Sequence, residues 1–528
     1  MSAPNVLWIC TDQQRFDTLG CYGNEFVETP NVDELAANGV RFDRAYCQSP
    51  VCTPSRASFL TGRYPRTTRC RQNGQTVPDD ETLVTARFAE AGYNCGLVGK
   101  LHLAPADPTS GKTVRHAEER VDDGYGVVHW SHSSHQNIPG NEYRADWLQE
   151  RGVDFDLTPH EGSEYVFTSV PAEHHQTTWC AQKAVNFIEQ ATEAYEPTDF
   201  AAPDEEPWLL SVNLFDPHVP FDPPEAYLER YLDELDEISL PDYAEGELED
   251  RPLFQRDPPG AAEEEQFPFE EMREDDHRLI RAAYFAMIDL IDDAVGRMLD
   301  ALERTDQRED TLVIFMSDHG EMLGDHGLYL KGPFFYEQAV RVPFVVSWPG
   351  EIREGVASEA LVELADLAPT LLDAAGIDRH DGMQADSLWP LLTGERDADE
   401  HRDSVYCEYY HALERPGFYG PEADSGVGSA FHRWFETTDV KPQFHDELAR
   451  QENAVLPYAT MIRTEDHKLV HFHSLETGEL YDLEADPGEH DNLYGDPEYR
   501  DVQLAMFESL SNRMAQTVDP LPQRRGRW

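Results

Sequence analysis

The sequence predicts an α/β fold, with a mostly parallel central sheet flanked by helices and a small C-terminal antiparallel sheet closed by a helix. Three observations predict it. Apolar runs of strand length alternate with amphipathic segments of helix length over the first 400 of 528 residues. Asp12, the run Asp216 to His218, and Asp318-His319 each fall just after an apolar run, where α/β sheets present their active groups. Beyond about residue 400 the texture changes to short strand-like runs with turns between them.

In order along the chain, 6–10 reads as a short buried strand ending at Thr11-Asp12-Gln13-Gln14-Arg15. Segment 31–38 reads as a short helix capped by Asn31. Then come an amphipathic helix over 81–91, a strand over 94–98 and a helix over 176–190. An acidic, proline-containing connector spans 196–207, before an apolar strand over 208–215. The very acidic stretch 228–277 reads as a surface insertion. A long helix over 277–302, a buried strand over 311–316, the run 341–347 and a helix over 361–375 follow. Past residue 400, short strands at 404–409, 460–463, 469–472 and 479–483 precede a helix around 500–514. This divides the chain into an α/β domain, 1–400, and an α+β subdomain, 401–528, expected to pack on it. No internal repeat is visible.

Composition narrows the function. The chain is 40% hydrophobic, enough for a core, yet 102 acidic residues against 42 basic ones give a net charge of −60. Only six of the basic residues are lysine. Acid-rich, lysine-poor composition suits molar salt, where the Debye length falls to roughly 3 Å and self-repulsion is screened. A disordered acidic chain is the rival, and the periodic apolar segments argue against it. The charge disfavours nucleic acid and anionic membranes as partners. The eight cysteines form no regular framework and read as buried free thiols, Cys52 excepted. The N-terminus has no basic leader or twin arginine, and no window approaches the ~20 apolar residues of a membrane span, so the expected location is the cytoplasm.

The most specific stretch is Ser49-Pro50-Val51-Cys52-Thr53-Pro54-Ser55-Arg56, continuing Ala57-Ser58-Phe59-Leu60-Thr61-Gly62-Arg63. It resembles the sulfatase signature. In that family a maturation enzyme oxidises the cysteine to formylglycine, an aldehyde whose hydrate attacks sulfur. The resemblance implies an alkaline-phosphatase-like fold and a Cys52-derived nucleophile. It extends from Val6 to about Leu493, including Met461-Ile462-Arg463-Thr464, Glu479-Leu480-Tyr481-Asp482-Leu483 and Asp486-Pro487-Gly488-Glu489 near the C-terminus.

Sulfate-ester hydrolysis needs a nucleophile, a cation, stabilisation of the transition-state charge and an acid for the leaving group. Thr11-Asp12-Gln13 and Ser317-Asp318-His319-Gly320-Glu321 resemble the family's metal segments. They imply one divalent cation held by Asp12, Asp318, His319 and the Cys52-derived diol. Oxygen-rich ligands favour Ca²⁺ or Mg²⁺, and the imidazole admits Mn²⁺; Ca²⁺ is the first expectation. Many sulfatases have a second aspartate where this chain has Gln13, which still offers an amide oxygen but leaves the site one negative charge poorer. Gly99-Lys100-Leu101-His102 matches the family's lysine–histidine pair: Lys100 would hold formylglycine and sulfate oxygens, and His102 would take the proton of the second diol hydroxyl. Pro217-His218-Val219-Pro220-Phe221 implies that His218 contacts sulfate and leaving group, and Lys331 would support it. Arg56 would anchor the formylglycine hydroxyl, and Asp318 is also a candidate base.

The expected function is hydrolysis of a small-molecule or saccharide sulfate ester (aryl, choline and sugar sulfates all fit), dependent on a formylglycine-generating enzyme. The alternatives are a phosphonate monoester or phosphodiester hydrolase with the same cysteine maturation, or a non-catalytic binder of sulfated ligands if Cys52 stays a thiol. Phosphonate hydrolases tend to lack the G-K-x-H pair, so Lys100 and His102 favour sulfate. The histidines at 129, 132, 135, 160, 174 and 175 fit no standard metal spacing and read as loop or substrate-pocket residues; the insertion at 228–277 and the stretch 417–453 match nothing assignable. The sequence carries no signal for an oligomeric state.

Overall fold

The computed structural model describes residues 3–106, 118–135, 138, 140–189, 207–251, 255, 267–410, 458–473, 475 and 477–521. Its main sheet contains β1 (Asn5–Thr11), β2 (Val40–Tyr46), β3 (Asn94–Gly99), β4 (Val127–Trp130), β5 (Trp208–Asn213), β6 (Thr311–Ser317), β7 (Arg341–Val342), β8 (Phe344–Ser347) and β9 (Val356–Glu363). The order is β9-β2-β8-β6-β1-β5-β3-β4, with β7 beside β2. Pairing is parallel except where β8 and β7 run antiparallel to their neighbours.

β1 and β6 are apolar because both faces of a central parallel strand are covered. Val6, Trp8 and Cys10 enter one core with Phe59, Leu312 and Met316. Leu7 and Ile9 enter the other, with Val313, Phe315 and the helices Gln176–Glu189 and Glu274–Arg304.

Register then builds one catalytic edge. Thr11 pairs with Ser317, Cys10 with Asn213 and Gly99 with Asn213. The carboxyl ends of β1, β6, β5 and β3 are therefore level, and Asp12, Asp318 and Lys100 are each the first residue beyond a strand. Backbone bonds fix these exits: Asp318 N donates to Thr11 O at 3.2 Å, Asp12 N to Asp216 O at 3.2 Å and Lys100 N to Asn213 O at 3.0 Å. Gly99 makes the last possible. Its φ is +96° and a Cβ there would collide with Asn213 O.

Several expectations need correction. Asn31 is not a cap: the helix is Pro30–Ala37 with Thr29 before it, and Asn31 Nδ2 donates to Asp292 Oδ2 at 2.7 Å. The helix expected from 81 begins at Val84, and the strand expected to reach 215 ends at Asn213. Segment 341–347 is two short strands interrupted at Pro343, whose ring removes a ladder donor. In 361–375 the first residues belong to β9, and the helix starts only at Leu367, because Glu363 N donates to Asp366 Oδ2 at 2.9 Å and turns the chain. Strands β2, β4 and β9 were not expected. The acidic stretch 228–277 is not a surface appendage in its described parts: Leu228, Tyr231 and Ile238 are buried against the long helix, and Tyr231 Oη donates to Asp289 at 2.8 Å. Most of the connector 196–207 and the whole stretch 417–453 lie outside the described residues.

The second sheet is antiparallel, in the order Val405–Tyr409, Ala459–Arg463, His467–Phe472, Gly478–Asp482, with the helix Arg500–Gln516 against it. Ion pairs tie the second sheet and its helix to the end of β9 and to the short helix Glu337–Val340. Glu363 at the end of β9 meets Arg402 and Arg513, and Lys468 meets Glu337 at 2.8 Å and Glu489 at 2.7 Å. Among the described residues, no helix is long and apolar enough to cross a membrane.

Candidate active site

Cys52 is the first residue of the helix Cys52–Thr61, whose ten residues are all buried. Unpaired N–H groups and the helix dipole make such a terminus favourable for negative charge. Burial and Asp12 push the Cys52 thiol up, but Lys100, Lys331 and His319 outweigh them and its pKa is lowered. Cys52 Sγ lies 3.1 Å from His319 Nε2, 3.4 Å from Lys331 Nζ, 3.6 Å from Asp12 Oδ1 and 3.9 Å from Lys100 Nζ.

Asp12, Cys52, Asp318 and His319 each offer one ligand atom, all within 4.8 Å of one another and all buried. His319 Nδ1 donates to Gly320 O at 2.9 Å, which leaves Nε2 facing the cluster; burial would lower the imidazole, yet Asp318 and Cys52 raise it to about 9, so a bound cation would take the place of the Nε2 proton. Two carboxylates, an imidazole and a sulfur-bearing position converted to oxygen in the family suit a hard-to-borderline divalent cation. The residues present therefore fit one.

Cations hold the carboxylates. Arg56 Nε donates to Asp318 Oδ2 at 2.8 Å, its Nη2 to Asp12 Oδ2 at 3.2 Å and its Nη1 to Lys100 O at 3.1 Å. Its fork thus spans both ligands. Lys100 Nζ donates to Asp12 Oδ2 at 2.5 Å. Burial alone would raise Asp12, yet Lys100, with Arg56 and Lys331, holds it well below the usual carboxylate range.

Lys331 Nζ also lies 2.6 Å from His218 Nε2 and 2.5 Å from Gln13 Oε1. His218 Nδ1 donates to Val219 O at 2.7 Å, which leaves Nε2 to accept from Lys331. Burial, then Lys331, drive His218 far below the ordinary imidazole value, so it is neutral.

His102 is buried, with φ +56° and its ring edge-on to His132 at 4.7 Å; burial, then Lys100, drive it well below the ordinary imidazole value. Its Nδ1 is buried without a hydrogen-bond partner among the described residues. Glu118 holds the loop beneath it, accepting Leu103 N at 2.7 Å and Trp130 Nε1 at 2.9 Å.

Hydrogen bonds and close contacts thus link Asp12, Gln13, Cys52, Arg56, Lys100, His218, Asp318, His319 and Lys331, while the contact found for His102 is with His132. Of the histidine-rich middle, His132 and His135 come close, His135 packing on Phe215 at 5.7 Å. His129 pairs with Glu142, and His175 lies 3.4 Å from Asp216 behind the His218 loop. Glu118 and Glu321 went unnoticed in the sequence. Glu321 is in the Ser317 to Glu321 run, but among 102 acidic residues nothing marks it as buried. A second cluster, Glu247, His326 and His490, has ligand spacing. Arg251 pairs with Glu247 and lies 3.2 Å from His326 Nδ1, so a cation is already built in there.

Comparison with known proteins places the chain among relatives. The Sulfatase family model matches residues 4–377, and the model described as N-sulphoglucosamine sulphohydrolase, C-terminal, matches 444–516. The chain is 31% identical over 428 residues to the arylsulfatase of Clostridium perfringens, covering 77% of this chain and 81% of that protein. It is 24% identical to the N-acetylglucosamine-6-O-sulfatase of Bacteroides thetaiotaomicron, covering 98% and 88%. Among solved structures, the phosphonate monoester hydrolase of Agrobacterium radiobacter superimposes with a TM-score of 0.77 at 27% identity, covering 98% and 96%.

Proposed function

Because the chain belongs to the sulfatase family, we propose that it hydrolyses a sulfate monoester through a formylglycine made from Cys52, with a divalent cation held by Asp12, Asp318 and His319. The observation that carries the reading is the helix-terminal Cys52, whose Sγ is one of four ligand atoms all within 4.8 Å of one another, with lysine ammonium groups at 3.4 and 3.9 Å from it. When present, the cation and the hydrated aldehyde supply the Lewis acidity and the nucleophile.

The chain's own groups do the rest. Lys100 and Lys331 hold sulfate oxygens and take up charge in the transition state. Lys331 and His218 form a donor–acceptor pair that delivers a proton to the leaving oxygen. His102, with its unpartnered Nδ1, accepts the proton released as the nucleophile is regenerated. Arg56 fixes both ligand carboxylates at once, and Asp318 serves as base for the attacking hydroxyl. Ca²⁺ is the proposed cation, with Mg²⁺ or Mn²⁺ as alternates, and maturation requires a formylglycine-generating enzyme. The same reading divides the chain near residue 400. The likeness to a saccharide sulfatase and to the sulphohydrolase C-terminal model supports a sugar sulfate as substrate.

The likeness to a phosphonate monoester hydrolase supports a second reading, and one assay separates them. In molar salt with Ca²⁺ or Mn²⁺, aryl, choline and sugar sulfates are expected to turn over faster than a phosphonate monoester, and chelation is expected to stop turnover. A faster phosphonate reaction would overturn the sulfate assignment. We also attribute the −60 charge to a saline environment. The thermal midpoint is then expected to rise steeply between 0.1 and 2 M NaCl, as the Debye length shrinks from about 10 Å to below about 3 Å. A flat response would refute adaptation to salt.

A further inference from the structure

Gln13 stands where many sulfatases carry an anionic ligand, and an amide has two faces of opposite polarity. Its backbone is fixed from both sides: φ is +68°, Tyr284 Oη donates to Gln13 O at 2.6 Å, and Gln13 N donates to Asp318 Oδ1 at 3.1 Å. The side chain reaches two charged groups. Its Nε2 donates to Glu321 Oε2, and its Oε1 accepts from Lys331 Nζ at 2.5 Å. A carboxylate only accepts and an ammonium only donates, so a single amide orientation satisfies both.

Glu321 is fully buried, and among the described residues no cation hydrogen-bonds to it; burial raises its carboxyl and the nearby Lys331 charge opposes that. It accepts Leu323 N at 2.8 Å and Leu330 N through Oε1, and the Gln13 amide through Oε2. Its carboxylate therefore closes the loop that ends at Lys331 and sets the amide of Gln13 at the same time.

We propose that Glu321 is a positioning residue that holds Gln13 with its carbonyl oxygen, not its NH₂ group, toward the cation site and Lys331. The inference rests on the cation reading above. An outward-facing NH₂ would set a positive dipole against a divalent cation, whereas the oxygen supplies an acceptor in place of the missing carboxylate.

A double-mutant cycle tests it, using calorimetric titration of the full-length protein with Ca²⁺ and, separately, Mn²⁺, and thermal unfolding as a check on folding. Glu321→Gln keeps an oxygen for Leu323 N and Leu330 N but turns an NH₂ toward Gln13, whose amide must then flip. Cation affinity is expected to fall about tenfold or more. In a Gln13→Asp background the same change is expected to leave affinity unchanged or raise it, because the introduced amide donates to the introduced carboxylate and relieves its repulsion from Glu321. Loss of equal size in both backgrounds, or no loss in either, would overturn the inference while leaving the cation reading standing. Failure of the unsubstituted protein to bind either cation would overturn the cation reading and the inference with it.

Discussion

Cys52→Ala is expected to lower turnover of sulfate esters by at least ~10⁴-fold, the scale on which removal of a covalent nucleophile acts. The fold should survive. Cys52 is at a helix terminus with its backbone inside the Cys52–Thr61 helix, and alanine is the best helix former. Removing one sulfur atom costs little packing compared with a Leu→Ala change of 2–5 kcal/mol. Loss of activity with an intact unfolding transition therefore reads on chemistry. The companion measurement is the mass of the tryptic peptide 45–56 from protein made in its native host. Conversion to formylglycine lowers the mass by about 18 Da, and fragmentation must assign the loss to Cys52, since Cys47 is in the same peptide. Unchanged turnover in the alanine variant would mean the wrong nucleophile. A fully reduced thiol at position 52 would instead favour the non-catalytic sulfate binder, because the lysine–histidine apparatus would then have no nucleophile to serve.

The parts of this site that were legible in the sequence share one property: a local pattern joined to an apolar strand. Thr11-Asp12 and Ser317-Asp318-His319 follow runs that must be buried, so the sheet edge they reach was inferable without knowing the sheet order. What lies between them was not. The antiparallel Phe344–Ser347 strand separates β6 from β2, and nothing in F-V-V-S specifies direction. The turn at Glu363 and Asp366 replaced expected helix, because a capping pair overrode the helical period of an apolar run. Charge misled the reading of 228–277: exposed carboxylates dominate its composition, while the few residues that decide its packing, Leu228 and Tyr231, are sparse. Arg56 was expected at the nucleophile's hydroxyl, yet its fork spans Asp12 and Asp318, a bridge between β1 and β6 that only register creates. Glu321 escaped for the same reason. Its partners Gln13 and Leu330 are 308 and 9 residues away, and their approach is a property of the tertiary fold.

Replacing Lys100 and His102 together should separate sulfate from phosphonate chemistry. Lys100 has the stricter placement. Gly99 turns the chain, Lys100 N is bonded to Asn213 O, and Nζ meets Asp12 at 2.5 Å beneath Cys52. His102 is held in a left-handed conformation above the Glu118 carboxylate, which receives the next backbone N–H groups. One oxyanion-stabilising donor contributes about 10²–10³ in rate and a general base about 10²–10⁴. Lys100→Ala/His102→Ala is accordingly expected to lower kcat/KM for a sulfate monoester by roughly 10⁴-fold. A phosphonate monoester, if turned over at all, should lose much less, because hydrolases of that class tend to work without this pair. Arg56 still bridges Asp12 and Asp318 in the variant, so the ligand carboxylates stay paired and circular dichroism should report a folded chain. Equal losses for the two esters would remove the reason for preferring sulfate. A larger loss for phosphonate would reverse the assignment, since Lys100 and Lys331 would then be serving the ester class whose solved structure this chain superimposes on at a TM-score of 0.77.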